Sequence, residues 1–415
     1  MPKVLHIHKM EKDKFIPEKL INRQKYIDHA VKYIDKDIIK VFSGQRRVGK
    51  SYMLYQVAQH IINSNTEANI VFINKELAEY RFINTEFQLI EYLKNKDTAR
   101  YNYLFIDEVQ EIKGFENALR SLLADRKWDI WCSGSNASFL SIDIAGIMSG
   151  RSIEFRIGAL SYTEFLDFHH LDDTDNALLK YLKFGGLPYL INLSLDDLTV
   201  FEYLRGVYNT ILFKDIVNRH GIRNIHFLEN LVQFSADHIG SLLSSNKISE
   251  YLKSQGIRMA TVRVLEYLNY LTDAFFLKKI KRTDIKGKRV FEVGEKYFFE
   301  DLGLRNLIAG FSMNDIGKII ENAVLLHLQY NGFEVHTVAL NDKEIDFVGT
   351  RANEKIYVQV AYLIPDQKVY EREFGNLRKI DDNYPKYVVS MDPVISTGNL
   401  GIKHIHLREF LKMEI

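Results

Sequence analysis

One cysteine, Cys132, is all that the 415 residues contain. An internal disulfide is therefore excluded, and a reducing cytoplasm is the expected setting. No run of about 18 apolar residues occurs, and residues 1–8 carry no apolar signal core, so a soluble chain with no membrane partner is expected. Charge of one sign is also missing. Lys and Arg number 55 against 54 Asp and Glu, a formal net charge of +1. Any nucleic-acid surface would have to be a local patch. The histidines lack Cys or acidic partners at zinc-ligand spacing, and neither internal repeats nor low-complexity tracts stand out. What is there is an ordinary globular composition, 46% hydrophobic and 26% charged. The length exceeds what one core can serve, which implies roughly two or three domains.

Against these absences one stretch stands out. Residues 44–51 read Gly44, Gln45, Arg46, Arg47, Val48, Gly49, Lys50, Ser51, with Tyr52 opening a helical pattern behind them. An apolar, β-branched run over 38–42 leads in. Strand, glycine-rich turn and helix N-terminus make a phosphate cradle. The glycines let backbone N–H groups curl around the anion, and the helix dipole adds positive potential. Lys50 would reach the β- and γ-phosphates of ATP, and the Ser51 hydroxyl would ligand Mg2+.

Further buried strands are expected at 69–74, 103–106, 128–133 and 152–156, separated by helical patterns. That alternation predicts an α/β fold with a parallel, doubly wound sheet. The strand at 103–106 ends in Asp107 and Glu108. Beside a phosphate loop, Asp107 would hold Mg2+ through water, and Glu108 would act as general base toward the attacking water. By itself the pair also reads as an acidic cap for the next helix. The strand at 128–133 ends in Ser133-Gly-Ser135-Asn136, placed either to sense the γ-phosphate or to cap a helix. Arg151, just before the last strand, reads as an arginine finger, acting in its own subunit or a neighbour's, or as a plain surface arginine.

Residues 44–51, 106–110 (Ile-Asp-Glu-Val-Gln), 133–136, Gly150-Arg151 and 160–165 (Leu-Ser-Tyr-Thr-Glu-Phe) occur in this order. With 181–189 (Tyr-Leu-Lys-Phe-Gly-Gly-Leu-Pro-Tyr) and 296–306, they resemble the ATP-binding proteins that join an AAA-type core to the domain known as DUF4143. The resemblance implies a strand order of 5-1-4-3-2, Ser133–Asn136 as the sensor, with Ser135 and Asn136 touching nucleotide, and Arg151 as a candidate arginine finger.

The domains are expected at 1–160 (P-loop core), 161–236 (helical lid or linker), 237–310 (winged helix) and 311–415. In the third, helices at 247–254 and 259–271 flank a tight turn. Two strand-like runs, 275–282 and 289–293, read as a hairpin wing. Lys278, Lys279, Lys281, Arg282, Lys286, Lys288 and Arg289 face one acid there, Asp284. Such a hairpin would neutralise phosphates along duplex or branched DNA, with Arg263 on the exposed face of the second helix and Val262, Leu265 and Leu268 buried. A solvated hairpin or a protein-binding module is the other reading. In the fourth segment a helix at 321–330 precedes strands at 333–338, 344–348 and 356–361. This resembles a restriction-endonuclease-like core with Glu321, Asp346 and Gln359 in register. Where that core uses Glu-x-Lys, the chain has Gln359-Val-Ala361, so a catalytically degenerate scaffold is implied, with Lys368 near enough to reach in.

The expectation is an Mg2+-dependent ATPase, as a monomer or a homo-oligomer, that couples nucleotide state to a module contacting DNA or protein. The alternatives are a slow nucleotide-gated switch without DNA and an ATP-regulated nuclease.

Overall fold

The computed structural model describes residues 15–137, 150–243, 245–254, 256, 259–284, 294–340, 343–393 and 401–415. The chain divides into two compact units, Met1–Ile157 and Gly158–Ile415. Among the described residues, no helix is long and apolar enough to cross a membrane.

The first unit opens with α1 (Gln24–Ala30). It continues through β1 (Ile39–Ser43), α2 (Lys50–Ser64), β2 (Asn69–Asn74), α3 (Glu86–Leu93), β3 (Asn102–Asp107), α4 (Phe115–Asp125), β4 (Asp129–Gly134) and β5 (Ser152–Arg156). All five strands are parallel, in the order β2-β3-β4-β1-β5, the order expected. Both faces are covered, which is why β1 and β3 are buried at every residue. One face packs Ile39, Val41, Leu104, Ile106 and Ile130 against Leu89, Leu93, Leu119 and Leu122 of α3 and α4. The other carries one ring per strand, Phe72, Phe105, Trp131, Phe42 and Phe155, with neighbouring centroids 5.4–6.3 Å apart. At the N-terminal edge of the strands, fully buried Lys40 pairs with Asp129 at 2.6 Å.

The second unit begins with α5 (Tyr162–His169), α6 (Asp175–Phe184) and α7 (Asp197–Thr210), which runs on as a π-helix over Ile211–Asn218 before α8 (Ile225–Asp237). Then follow β6 (Leu242–Leu243), α9 (Ser245–Ser254), α10 (Thr261–Asp273), β7 (Leu277–Asp284), β8 (Glu295–Phe299), α11 (Leu302–Ala309) and α12 (Ile316–Tyr330). The chain closes with β9 (Glu334–Leu340), β10 (Lys343–Arg351), β11 (Glu354–Val360), α13 (Gln367–Arg378), β12 (Lys386–Ser390), β13 (Ile402–His406) and α14 (Leu407–Phe410). Eight strands form one sheet, β13-β12-β11-β10-β9-β7-β8-β6. Because β7 pairs with β8 on one side and β9 on the other, the 237–310 and 311–415 segments share that sheet.

Asp301 ties the turn after α6 to α11. It caps α11 by accepting the Leu304 N–H at 3.0 Å, and it accepts the Gly186 N–H at 2.8 Å. Gly185 has φ +76°, and a Cβ there would lie 2.5 Å from the Asp301 carboxylate, so the Gly-Gly pair is what admits it. Burial pushes the Asp301 carboxyl up to about 6, with the Gly186, Leu304 and Gly303 N–H groups opposing.

The buried stripe of α10 differs from expectation. Val264, Tyr267, Leu268 and Leu271 face the core, while Val262 and Leu265 are 68% and 41% exposed. At about 100° per residue, positions 264, 267, 268 and 271 stay within one face, whereas 262, 265 and 268 drift around the helix.

Candidate active site

The P-loop joins the C-terminal end of β1 to α2. Gly44 sits at φ +146°, and a Cβ there would meet the Ile157 carbonyl oxygen at 2.2 Å, so only glycine fits. Gly49 (φ +95°) and Arg47 (φ +71°) adopt left-handed conformations that curl the loop. The following helix starts at Lys50 and aims its unpaired N–H groups at the loop. Buried Lys50 donates from Nζ to the carbonyl oxygens of Gly44 (3.1 Å) and Gln45 (3.0 Å). Gln45 is buried with neither Oε1 nor Nε2 hydrogen-bonded. Unmet polar atoms inside such a cradle fit a polar ligand. Arg23 adds a clamp from before α1, donating from Nη1 to the Val48 carbonyl at 3.3 Å, while Gln56 of α2 bonds the Arg23 N–H at 3.0 Å.

β3 delivers Asp107 and Glu108 beside this loop. Burial, then the adjacent Glu108, push the Asp107 carboxyl above its ordinary range; hydrogen bonds from Ser133 and Ser51 and the Lys50 charge oppose them. Ser51 thus lies close enough to Asp107 to favour its ionised form, and two hard oxygen donors near one another fit Mg2+. A raised carboxyl also gains most from a divalent cation, which would favour its ionised form.

Glu108 takes a left-handed backbone at φ +56°, rare away from glycine and a common sign of a functional position. Its N–H bonds the Ser133 hydroxyl at 3.1 Å, and its Oε2 accepts from Ser135 at 3.1 Å and from Gln110. Burial works against ionisation of Glu108, but Lys50 and Arg46, with the Gln110 and Ser135 hydrogen bonds, outweigh it and hold the carboxyl below its ordinary range. Arg46 is buried and lies 3.9 Å from Glu76. Asn136 is buried near the end of β4, and Tyr52 is half-exposed on α2.

The structure thus brings together Lys50, Ser51, Asp107, Glu108 and Ser135. Sequence reasoning set Ser133 at the site without its bonds to Asp107 and Glu108, and missed the parts played by Gln110 and Arg23. Their signal was a polar residue at a strand end or before the first helix, which marks many sites that do nothing chemical.

For Arg151, the half of the expectation that placed it at its own subunit's P-loop is corrected. β5 runs parallel to β1 with Ile39 opposite Ser152 and Ser43 opposite Arg156. Arg151 therefore sits at the N-terminal edge of the sheet, its carbonyl accepting the Ile39 N–H at 2.8 Å. The P-loop is at the other edge, roughly 15 Å away along the strand. Arg151 instead helps line an open cavity of about 770 Å³ with Arg120, Arg126 and Asp37. It cannot serve its own P-loop.

The DNA-contact candidates also change. Lys286, Lys288 and Arg289, with the run expected at 289–293, lie outside the described residues. β7 is no free wing, because it is hydrogen-bonded along both edges. Lys278 is buried against Glu300 at 2.6 Å, Lys279 pairs with Glu295 at 3.3 Å, and Arg282 pairs with Glu344 at 3.0 Å. Arg263 on α10 pairs with Glu266 at 2.7 Å. Lys281 remains exposed.

In the last segment, helix and strands follow the expected order, with Glu321 on α12, Asp346 on β10 and Gln359 on β11. Lys368 is exposed on α13. The cation that enters the cluster is Lys296 of β8, with Nζ 3.2 Å from Glu321 and 2.5 Å from Glu344.

Comparison with known proteins agrees with the first unit. Residues 36–166 match an AAA domain, and residues 175–315 match a domain of unknown function, DUF8612, where the motifs had suggested DUF4143. A solved structure, the Walker-type ATPase of Pyrococcus abyssi, is similar at 16% identity with a TM-score of 0.49, covering 71% of this chain and 97% of its own. An uncharacterized protein of Haemophilus influenzae is 33% identical over 94% of this chain and 98% of its own length. Another, from Methanocaldococcus jannaschii, is 30% identical over 94% of this chain and 92% of its own length. The chain belongs to one family with these two relatives, and its first unit is an AAA-type P-loop domain.

Proposed function

We propose that the chain hydrolyses ATP and uses its nucleotide state to control binding of a protein partner. The observation that carries the first half is the convergence of Lys50, Asp107 and Glu108 on one buried cradle, with Glu108 kept ionised. Mg2+ held by Ser51 and Asp107 would neutralise charge on the phosphates. Lys50 leaves the Gly44 and Gln45 carbonyls for the β- and γ-phosphate oxygens. Glu108 accepts a proton from the attacking water as the new oxygen–phosphorus bond forms and the bond to the β-phosphate oxygen breaks, releasing ADP. Gln110 and Ser135 aim its Oε2. Arg46 and Arg47 lie on the same loop, and Asn136 senses the γ-phosphate. Arg151, remote from its own P-loop, stabilises transition-state charge in a neighbouring copy, which makes the active form a homo-oligomer.

Two observations favour protein over DNA as the partner. Three of the four described cations of β7 are held by carboxylates. The outer face of α10 shows Val262 and Leu265, with Arg263 already paired. That favours a protein-binding role for the segment read as a winged helix, and a catalytically silent role for the endonuclease-like one.

Steady-state ATP turnover, measured with and without duplex and branched DNA, tests the reading. Turnover is expected and should not respond to DNA; stimulation by either DNA would overturn the choice of partner. Mixing Arg151→Ala with Lys50→Ala tests the neighbour's role: each is inactive alone, and activity should reappear in the mixture.

A further inference from the structure

Away from the P-loop, the second unit gathers a set of buried and half-buried charges. Glu344 and Asp346 come from β10, Glu321 from α12 and Glu373 from α13. We infer that the Lys296 ammonium is a resident cation occupying the place of a divalent metal among these carboxylates.

Lys296 enters from β8, 5% exposed, and its ammonium meets two acids: Glu321 Oε1 at 3.2 Å and Glu344 Oε1 at 2.5 Å. The Asp346 charge acts on it as well, and together these acids outweigh the desolvation that opposes the charged lysine. Gly240 makes room for Glu321, since a Cβ there would stand 2.9 Å from Glu321 Oε2. Asp346 accepts the Val360 N–H at 2.8 Å, and burial, then Glu321, push its carboxyl well above the ordinary range.

Two further oxygens are left over. Glu373 is 3% exposed with Oε2 lacking a hydrogen bond, and its charge is felt by Asp346. Gln359, next to Val360, is 6% exposed with Oε1 lacking one. Carboxylates with an amide oxygen are the donor set of a hard divalent ion. Lys296 replaces that charge but cannot act as a Lewis acid. A tetrahedral ammonium donates to oxygens at hydrogen-bond length, so it holds the acids farther apart than a metal would. In keeping with this, no group of three or more acidic, His or Cys side chains among the described residues is arranged to hold a metal.

The test is Mn2+ binding to the nucleotide-free full chain, followed by electron paramagnetic resonance in an Asp107→Asn background that silences the first unit. The parent should bind no Mn2+ that depends on Asp346. Lys296→Met and Lys296→Gln should each gain one equivalent that the parent lacks, lost again on adding Asp346→Asn. Where a Lys296 variant is unfolded without metal, Mn2+ should restore its fold. The inference fails if the parent binds an equivalent that Asp346→Asn removes. It fails if the folded Lys296 variants gain none, or gain one that ignores Asp346. It also fails if neither variant folds even in millimolar Mn2+, because the metal would then not be replacing the missing charge.

Discussion

Each unit of this protein buries a lysine beside carboxylates, and the two are bound differently. Lys50 rests on backbone carbonyls of its own loop, which are neutral acceptors and yield it readily to a phosphate. Lys296 rests on Glu321 and Glu344, which compete with any incoming anion and repel it. The first arrangement waits for a ligand, and the second is already satisfied. A buried lysine is thus no guide to chemistry until its partners are known.

The sharpest way to break this comparison is at the first lysine. Lys50→Ala should lower ATP turnover by about 10²–10³-fold. Glu108→Gln should lower it by about 10²–10⁴-fold while bound ATP accumulates. Phosphate release and nucleotide retention on a filter check both, and normal turnover in either variant would remove the assignment.

Next come the buried ion pairs away from both clusters. Lys40→Met, which takes the cation from Asp129, and Lys278→Met, which takes it from Glu300, should each cost about 3–5 kcal/mol in urea unfolding. Replacing both partners of the second pair, Lys278→Met with Glu300→Leu, should recover most of that loss. If the double variant is as unstable as the single one, the pair was not the cause.

Asp301 sharpens the comparison through pH. Its folded-state carboxyl is raised to about 6 from the ordinary value of 3.8. The stability it contributes is present below the unfolded value and lost as pH rises through about 6, a change of about 3 kcal/mol. Asp301→Asn cannot titrate, so the difference between the two proteins should open between pH 4 and pH 6. Parallel unfolding curves across that window would show that the carboxyl is not raised.

The smallest effect belongs to a helix cap. Ser161 and Glu164 form a reciprocal capping box at the start of α5. Ser161→Ala should cost about 1 kcal/mol, read as a lowered melting temperature.

Much of the first unit was legible because its signals are local. A strand, the Gly-rich turn and a helix follow one another without a break, and every strand of that sheet was found within a residue of its place. The rest required contacts between distant segments. Lys296 reads as one more charge in a mixed stretch until β8 carries it to Glu321, 25 residues away. The hairpin expected at 275–293 did not include the second neighbour of its first strand, β9, which local periodicity cannot reveal. For α10, the choice among overlapping apolar stripes was settled by packing.

The sequence by itself determined the phosphate cradle, its acidic strand and the α/β alternation, because covalent order puts those residues next to one another and backbone stereochemistry does the rest. Only the tertiary structure decided which charges are free. It showed Arg151 at the far edge from its own P-loop, three of the four described β7 cations held by carboxylates, and Lys296 beside Glu321 and Glu344. Whether a charge can act depends on what lies within a few ångströms of it, and that neighbourhood is assembled from residues far apart in the chain.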